Sequence, residues 1–173
     1  MGGGRQKFTP KGVDDPEGGD GGKREDGKNL IQIWLAQKTI LGNASYVWHR
    51  DDFLTVDTAN TDYLLGLFDW GHMEYAIEND LSNPSLEEMT KSAIEILQND
   101  PNGYFLFVEG GNIDRAHHLN EHRSALEEAL EFEKAISRAD SMTDPQDTLI
   151  LVTADHSQPI VINGYSNRGS DIL

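Results

Sequence analysis

The spacing of apolar residues predicts alternating helices and strands along most of the chain. Residues 29–37 space their apolar side chains as a helix does, with Ile33 and Trp34 on one side. Residues 46–49 and 63–68 have the composition of short strands. We therefore expect the first half of the globular part to combine a helix with a small sheet.

A sequence signature for a helix N-terminus follows at Ser85 and Glu88. A Ser with a Glu three residues later forms a capping box, in which each side chain accepts a hydrogen bond from the other's backbone N–H. The apolar residues behind it recur at helical spacing, at Leu86, Met89, Ala93 and Ile96. Turn-forming residues 100–103 are predicted to end this helix.

Two continuous apolar runs, residues 104–108 and 148–152, flank a predicted long helix over residues 117–139. Such runs are typical of parallel strands buried on both faces. Helix, strand, helix, strand in this order is the pattern of an α/β fold with a right-handed crossover. The predicted fold class is therefore α/β, a sheet flanked by helices on both faces.

The first 29 residues differ in composition from the rest of the chain, because they are rich in Gly and acidic residues. Phe8 and Val13 are their only sizeable apolar side chains, too few for a core of their own. We therefore divide the chain into residues 1–29, a Gly-rich acidic loop region, and residues 30–173, the globular part.

Composition narrows the classes of function. The 173 residues carry 14 Lys plus Arg against 30 Asp plus Glu, a net charge of −16. That charge argues against nucleic-acid or anionic-membrane surfaces, which need clustered basic residues. No apolar run approaches the roughly 20 residues of a membrane helix, and no secretion leader is visible. With no Cys, any metal site must use carboxylate and imidazole.

Polar clusters follow both apolar runs directly. Glu109, Asp114 and His118 come after the first run, and Asp155 and His156 come after the second. Since parallel strands present their carboxyl ends at one edge, both clusters should meet there. Asp114 and His118 are four residues apart, so one helical turn places them on the same side.

Carboxylate with imidazole is a typical zinc ligand set, and an all-oxygen position beside it suits magnesium. Each piece also has an ordinary interpretation: Glu109 as a solvated residue at a strand end, and Asp114 with His118 as a helix N-terminal acid beside a surface His. Two clusters at one edge favour the metal site. Because His binds metal when deprotonated, activity should favour neutral to alkaline pH.

At these residues the chain resembles animal-type alkaline phosphatases. The segments that share order and spacing with that family are Phe107-Val108-Glu109-Gly110-Gly111-x-Ile113-Asp114-x-x-His117-His118, Val152-Thr153-Ala154-Asp155-His156-Ser157, Gly2-Gly3-Gly4-Arg5, Asp26-Gly27-Lys28-Asn29-Leu30, Tyr46-Val47-Trp48, Gly66-Leu67-Phe68, Asn83-Pro84-Ser85-Leu86 and Gly164-Tyr165-x-x-Arg168-Gly169. The resemblance runs along almost the whole chain and implies that residues 30–173 are the central part of a catalytic domain.

The resemblance implies a phosphomonoester hydrolase that depends on zinc and magnesium. In that family two zinc ions clamp the phosphate, a serine attacks, and a metal-bound hydroxide releases phosphate. By resemblance, Glu109 matches the magnesium carboxylate, Asp114 and His118 match ligands of the first zinc, and Asp155 and His156 match ligands of the second.

Further residues depart from the family pattern. By resemblance, Arg115 occupies a position near the phosphate that is His or Lys in familiar members of the family, so its role is expected to be electrostatic assistance to phosphate. A structural calcium site would draw on Glu17, the carbonyl of Phe68 and Asp69. Asp69 replaces a usual Glu and Asn83 a usual Asp, so a lower ligand charge should weaken calcium binding.

Several family segments have no counterpart in this sequence: the N-terminal strand with a shared Asp ligand, the Asp-Ser-Ala nucleophile segment and the last zinc His. Ser157 is not in the nucleophile context. We therefore expect the chain as given to be inactive, and its ends at Met1 and Leu173 favour a central fragment of an active enzyme. The alternative is a truncated, non-catalytic relative that acts as a cation-binding or interaction module.

The resemblance also implies an extracellular setting, a lipid anchor outside this chain as the membrane contact, and a homodimer that acts on phosphomonoesters. Asn43-Ala44-Ser45 is an N-glycosylation sequon, compatible with secretion.

Overall fold

The computed structural model describes residues 1–18, 20–158 and 164–170. Within them the α-helices are α1 (Leu30–Lys38), α2 (Arg50–Leu54), α3 (Leu86–Leu97), α4 (Gly111–His118) and α5 (His122–Met142), and the strands are β1 (Ala44–Val47) and β2 (Tyr63–Gly66). A short 3-10 helix, Arg5–Lys7, lies near the N-terminus.

Strands β1 and β2 form a parallel sheet in which Ala44 lies beside Tyr63 and Val47 beside Gly66. The N-terminal segment extends this sheet, since Gly2 forms a parallel bridge with Leu67. A parallel sheet with helices confirms the predicted α/β class. The strand predicted over residues 46–49 lies two residues earlier in the structure, at 44–47, because its pairing with β2 begins at Ala44.

Helix α1 was predicted within one residue of its bounds. It begins where Asn29 caps it, with the side-chain Oδ1 accepting from the backbone N–H of Gln32 at 3.1 Å. The predicted inward face was only partly right. Ile31 is the buried residue and Ile33 is 40% exposed, in a helix that packs on β1.

The capping box of α3 is confirmed. Ser85 Oγ accepts from the N–H of Glu88 at 3.1 Å, and Glu88 Oε2 accepts from the N–H of Ser85 at 2.9 Å. Met89 is buried as predicted, and Leu86 packs against the same core cluster, but the other buried residues of α3 are Thr90 and Ile94 and not Ala93 and Ile96. The packing of α3 against α5 selects this side of the helix.

The prediction of a helix over residues 117–139 was wrong in one respect, because the segment is broken. Helix α4 ends at His118 and α5 begins at His122. Between them Asn120 has a left-handed backbone (φ 59°), a conformation that Asn tolerates better than most residues. The N–H of Glu121 then bonds to the carbonyl of Ala116 at 2.9 Å and closes the helix end.

The two apolar runs, residues 104–108 and 148–152, are not paired strands in the part of the chain that the structure describes, which corrects the prediction. Burial alternates along most of both runs. The exposed side chains include Phe105 (88%), Phe107 (76%), Leu149 (79%) and Leu151 (82%), and the residues between them are only partly buried. A strand is buried only when neighbours cover its faces and edges. Within the described residues those neighbours are missing.

The core lies around the sheet and α3. Phe53 and Phe68 meet edge to face, with ring centroids 5.2 Å apart, and Val47 and Met89 pack with them. A smaller cluster of Tyr75, Ala116 and Ala125 joins α4 to α5. These contacts fix α4, which carries two of the predicted metal ligands.

Candidate metal centre

Four of the five predicted metal ligands lie together. Asp114 and His118 share one side of α4, with Asp114 Oδ2 3.3 Å from His118 Nε2. The segment after residues 148–152 brings Asp155 and His156 next to them, with Asp155 Oδ2 3.4 Å from His156 Nε2. His156 Nε2 also lies 3.7 Å from Asp114 Oδ1. The two pairs therefore meet at Asp114.

The spacing within each pair suits a zinc ion. Two ligand atoms about 2.0–2.1 Å from one tetrahedral zinc lie about 3.3–3.4 Å from each other. The oxygen–nitrogen distances of 3.3 Å in Asp114–His118 and 3.4 Å in Asp155–His156 match that separation. Donor chemistry and spacing both fit a shared cation. In the described residues no group of three or more acidic or His side chains is arranged to hold one ion.

The centre is open to solvent. The side chain of Asp114 is 43% exposed, that of His156 is 54% exposed and that of Asp155 is 86% exposed. Charged groups at this exposure remain hydrated and cost little to keep ionised. A cation and an anionic substrate could reach them without rearrangement of the core.

Gln158, which the sequence patterns did not single out, completes the contacts of Asp114. Its Nε2 donates to Asp114 Oδ1 at 2.8 Å and lies 3.4 Å from His118 Nε2. That hydrogen bond is the main cause that lowers the pKa of Asp114 below its usual range, with smaller contributions from His118, His156 and His117. No spacing signal marks a lone Gln two residues after a His, so only the tertiary contact reveals it.

Glu109 and Arg115 lie apart from the two pairs. The exposed side chain of Glu109 folds back towards Gly111 at the start of α4. Arg115 points the other way: its Nη1 donates to the carbonyl of Met73 at 3.2 Å, and its guanidinium lies 4.6 Å from the centroid of the Tyr75 ring. Among the described residues, no hydrogen bond or ion pair joins either of them to the four clustered ligands.

A family model described as alkaline phosphatase matches residues 1–173, the whole chain. The chain belongs to the alkaline phosphatase family.

Individual alkaline phosphatases agree with this assignment. The chain is 46% identical over 178 aligned positions to the tissue-nonspecific isozyme of Felis catus, and 43% identical over 175 to a membrane-bound alkaline phosphatase of Bombyx mori. Both matches cover 100% of this chain. The chain spans about a third of those relatives, 34% and 32% of their lengths.

Solved alkaline phosphatases share the fold. The Thermus thermophilus enzyme superposes with a TM-score of 0.66 at 28% identity, covering 82% of this chain and 26% of that chain. A variant of the enzyme from the Antarctic bacterium TAB5, solved with Mg bound, has a TM-score of 0.52 at 21% identity, covering 69% of this chain and 32% of that chain. The resemblance read from the sequence is thus confirmed.

The residues that the family resemblance assigns to calcium lie beside a buried arginine. Glu17 pairs with the guanidinium of Arg5. The side chain of Asp69 accepts from the N–H of Gly71 at 2.8 Å, and Phe68 is 1% exposed in the core. Asn83, also buried, bonds through its carbonyl to the side chain of Asn79. Glu17 is thus already paired with a cation.

Arg5 is the centre of a second charged cluster that the sequence patterns did not reveal. It is fully buried, and its Nε and Nη2 donate to the two carboxylate oxygens of Asp15 at 2.8 Å each. Its Nη1 donates to the carbonyl of Leu67 at 2.6 Å. Burial by itself would raise the pKa of Asp15, but the hydrogen bonds from Arg5 and from the N–H of Glu17, with the guanidinium charge, lower it overall.

The predicted glycosylation residue lies at the surface. Asn43 is exposed, and its side-chain Nδ2 donates to the carbonyl of Asn60 at 2.8 Å. None of the helices in the described ranges has both the length and the apolar character needed to cross a membrane.

Proposed function

We propose that this chain is the metal-binding part of an alkaline phosphatase that hydrolyses phosphomonoesters with zinc and magnesium. The observation that carries the proposal is the meeting of the Asp114–His118 and Asp155–His156 pairs in a chain matched along its whole length by the family model. Each pair contributes one carboxylate and one imidazole to one zinc. Glu109 contributes a carboxylate to magnesium.

The charge of the site explains why a metal is needed there. The carboxylates of Asp114 and Asp155 lie 3.7 Å and 3.4 Å from the same His156 Nε2, and their field would repel a phosphate dianion. When bound, divalent cations would polarise the phosphoryl oxygens and neutralise the charge that develops during displacement. The part of Asp114, His118, Asp155 and His156 is to hold that positive charge in place.

In the proposed function, Arg115 assists the binding of phosphate electrostatically. A guanidinium can bind phosphate oxygens through two parallel N–H bonds, which an ammonium or imidazole cannot do. In this structure the ring of Tyr75 and the carbonyl of Met73 hold it away from the ligand pairs. Its assistance to phosphate would require it to leave those contacts.

The remaining family features are extended to this protein as parts of the same proposal. They are a weak calcium site at Glu17, Phe68 and Asp69, glycosylation at Asn43, a homodimer, and a place at the cell surface through a lipid anchor outside this chain. The name of the membrane-bound silkworm relative supports the surface location. The pairing of Glu17 with Arg5 supports weak calcium affinity.

Zinc titration of the full chain by calorimetry tests the proposal. We expect Asp114→Asn and Asp155→Asn each to weaken zinc affinity by at least about 100-fold, since a neutral amide replaces an anionic ligand. Asp147→Asn, the same change at an exposed turn residue, is the control and should leave affinity unchanged. Affinity that stays the same in the first two variants would contradict the proposed metal centre.

A second measurement addresses catalysis. Because no Asp-Ser-Ala nucleophile segment is present in the sequence, we expect the 173-residue chain with zinc and magnesium not to hydrolyse p-nitrophenyl phosphate above background. Turnover by this chain would show that the expected inactivity is wrong. Zinc binding without turnover even after addition of the family's missing segments would favour the alternative, a non-catalytic cation-binding module.

A further inference from the structure

We propose that residues 73–75 form a resting dock for Arg115, and that phosphate binding at the metal centre draws the guanidinium out of this dock. The inference rests on the proposed function, because it assigns control of phosphate affinity in the same site. It begins from two contacts of Arg115. Its Nη1 donates to the carbonyl of Met73 at 3.2 Å, and its guanidinium lies 4.6 Å from the centroid of the Tyr75 ring.

The partners of Arg115 in the dock suit a guanidinium that must be able to leave. Both partners are uncharged, since one is a carbonyl oxygen and the other an aromatic ring. A cation over an aromatic ring is held more weakly than a cation in a buried ion pair. The guanidinium therefore keeps a positive charge that neither partner neutralises, and a phosphate dianion can attract it.

The carbonyl of Met73 would keep a hydrogen bond after Arg115 leaves. It accepts from two donors, Arg115 Nη1 and Asn112 Nδ2, both at 3.2 Å. When the guanidinium leaves, the Asn112 amide still bonds to that oxygen. Because a buried acceptor without a partner is destabilising, this second donor lowers the free energy needed for release.

The aromatic ring of the dock is held in place by α4 and α5. Tyr75 is 3% exposed and packs against Ala116 on α4. The backbone next to it is fixed as well, because Glu128 Oε1 on α5 accepts from the N–H of Ala76 at 2.6 Å. The ring therefore stays where it is, and the half-buried side chain of Arg115 is the part that can move.

The position of Arg115 on α4 places it between the dock and the metal centre. It directly follows Asp114, and consecutive helical side chains point about 100° apart. Asp114 carries a half-exposed negative charge, yet the guanidinium lies in the dock. The dock thus competes with the metal centre for Arg115. Molecules with Arg115 in the dock lack its help, so the apparent phosphate affinity falls with the fraction that is docked.

A purely structural role would give the same contacts. Arg115 would then only fasten residues 73–75 to α4, and it would stay there when phosphate binds. The two roles predict different effects of weakening the dock. A competing dock lowers phosphate affinity, so its removal tightens phosphate binding, whereas removal of a structural contact leaves that affinity unchanged or lowers it.

The first test is the affinity of the zinc-loaded 173-residue chain for inorganic phosphate, measured by calorimetry. We expect Tyr75→Leu to tighten phosphate binding about 3- to 10-fold, because it removes the cation–π contact that retains Arg115. The tightening should disappear when Arg115→Gln is present as well. Tyr63→Leu, the same change at the cation–π pair of Tyr63 with Lys38, is the matched control and should bind phosphate like the unmutated chain.

A second measurement needs no substitution in the core. In the zinc-loaded, unmutated chain, the ring current of Tyr75 should shift the NMR resonances of the Arg115 side chain upfield. Saturating inorganic phosphate should remove that shift, because the guanidinium leaves the ring. The resonances that disappear in Arg115→Gln identify the signals of Arg115.

Each outcome decides the inference. Tighter phosphate binding in Tyr75→Leu that requires Arg115, together with loss of the upfield shift, would support it. Unchanged or weaker binding in a folded Tyr75→Leu variant, an upfield shift that persists at saturating phosphate, or zinc binding without phosphate binding would overturn the inference and leave the proposed metal centre standing. If Tyr75→Leu does not fold, the NMR result decides alone. Absence of zinc binding by the unmutated chain would overturn both.

Discussion

The chain builds two clusters of acidic and basic side chains, and they differ in how completely their charges are paired. Around Arg5, a fully buried guanidinium bonds to Asp15, Glu17 and the carbonyl of Leu67. Around Asp114, half-exposed side chains face two His residues and an amide. A buried cluster in which each guanidinium nitrogen donates a hydrogen bond supports the fold, whereas an open cluster of ligand atoms can still bind an ion.

Aromatic residues near the two clusters differ in burial in the same way as the charged residues do. Phe68, beside the Arg5 cluster, is 1% exposed, and Phe105, in the run that leads to the metal centre, is 88% exposed. The Arg5 cluster thus combines a buried charge pair with a buried ring, whereas the metal centre and the run that leads to it leave charges and a ring exposed. Stability and metal binding should therefore respond to different substitutions.

The largest difference in stability should be between the variants Phe68→Ala and Phe105→Ala. We expect Phe68→Ala to lower the free energy of unfolding by about 3–5 kcal/mol, because it leaves a cavity against Phe53. Phe105→Ala, the same change on the exposed run, should stay within about 0.5 kcal/mol. Urea denaturation of both variants measures the difference. Equal losses would show that residues 104–108 are packed, and the contrast would fail.

The second-largest loss of stability should come from substitution of Arg5 in the buried charged cluster. Arg5→Met keeps most of the side-chain volume but leaves Asp15 buried without its cation, so we expect a loss of about 3 kcal/mol. The control is Arg24→Met, which breaks a solvent-exposed pair with Asp26 and should cost far less stability than Arg5→Met. Similar losses in the two variants would argue against a special structural role for Arg5.

A smaller effect should appear in the pH dependence of stability. The pKa of Asp15 in the folded chain lies below its ordinary value of 3.8, so its stabilising contribution is present above that value and is lost as the pH falls through the folded pKa. In Arg5→Met, burial without the cation should raise that pKa, and acid should then favour the folded state of the variant. Urea denaturation between about pH 7 and pH 3 should therefore show the stability gap between Arg5→Met and the unmutated chain narrowing, and a gap that widens would contradict this assignment.

Local sequence was sufficient where short-range physics governs the outcome. The Asn29 cap and the Ser85–Glu88 capping box place two helix starts, because each cap bonds to N–H groups within three residues. Asp114 and His118 meet because helical spacing brings residues four apart together. The α/β class is also confirmed, although residues 44–47 and 63–66 form the parallel sheet and not the two apolar runs from which the class was predicted.

Long-range contacts decided the rest. The apolar runs at 104–108 and 148–152 looked like buried strands, but burial requires covering segments that composition cannot supply. The break at Asn120 depends on one backbone conformation that helical periodicity does not reveal. Arg5 and Gln158 carry no motif, so their contacts with Asp15 and Asp114 emerge only when distant segments pack.

By itself, the sequence determined the α/β class, the family resemblance, and the carboxylate and imidazole groups available to a metal. The tertiary structure decided which of those groups meet, and it separated Glu109 and Arg115 from the four that do. The physical reason is the sequence separation between the residues that make each contact. Caps, turns and helical pairs form between residues a few positions apart, whereas the hydrogen bond between Asp114 and Gln158 joins residues 44 positions apart and exists only after the chain between them has folded.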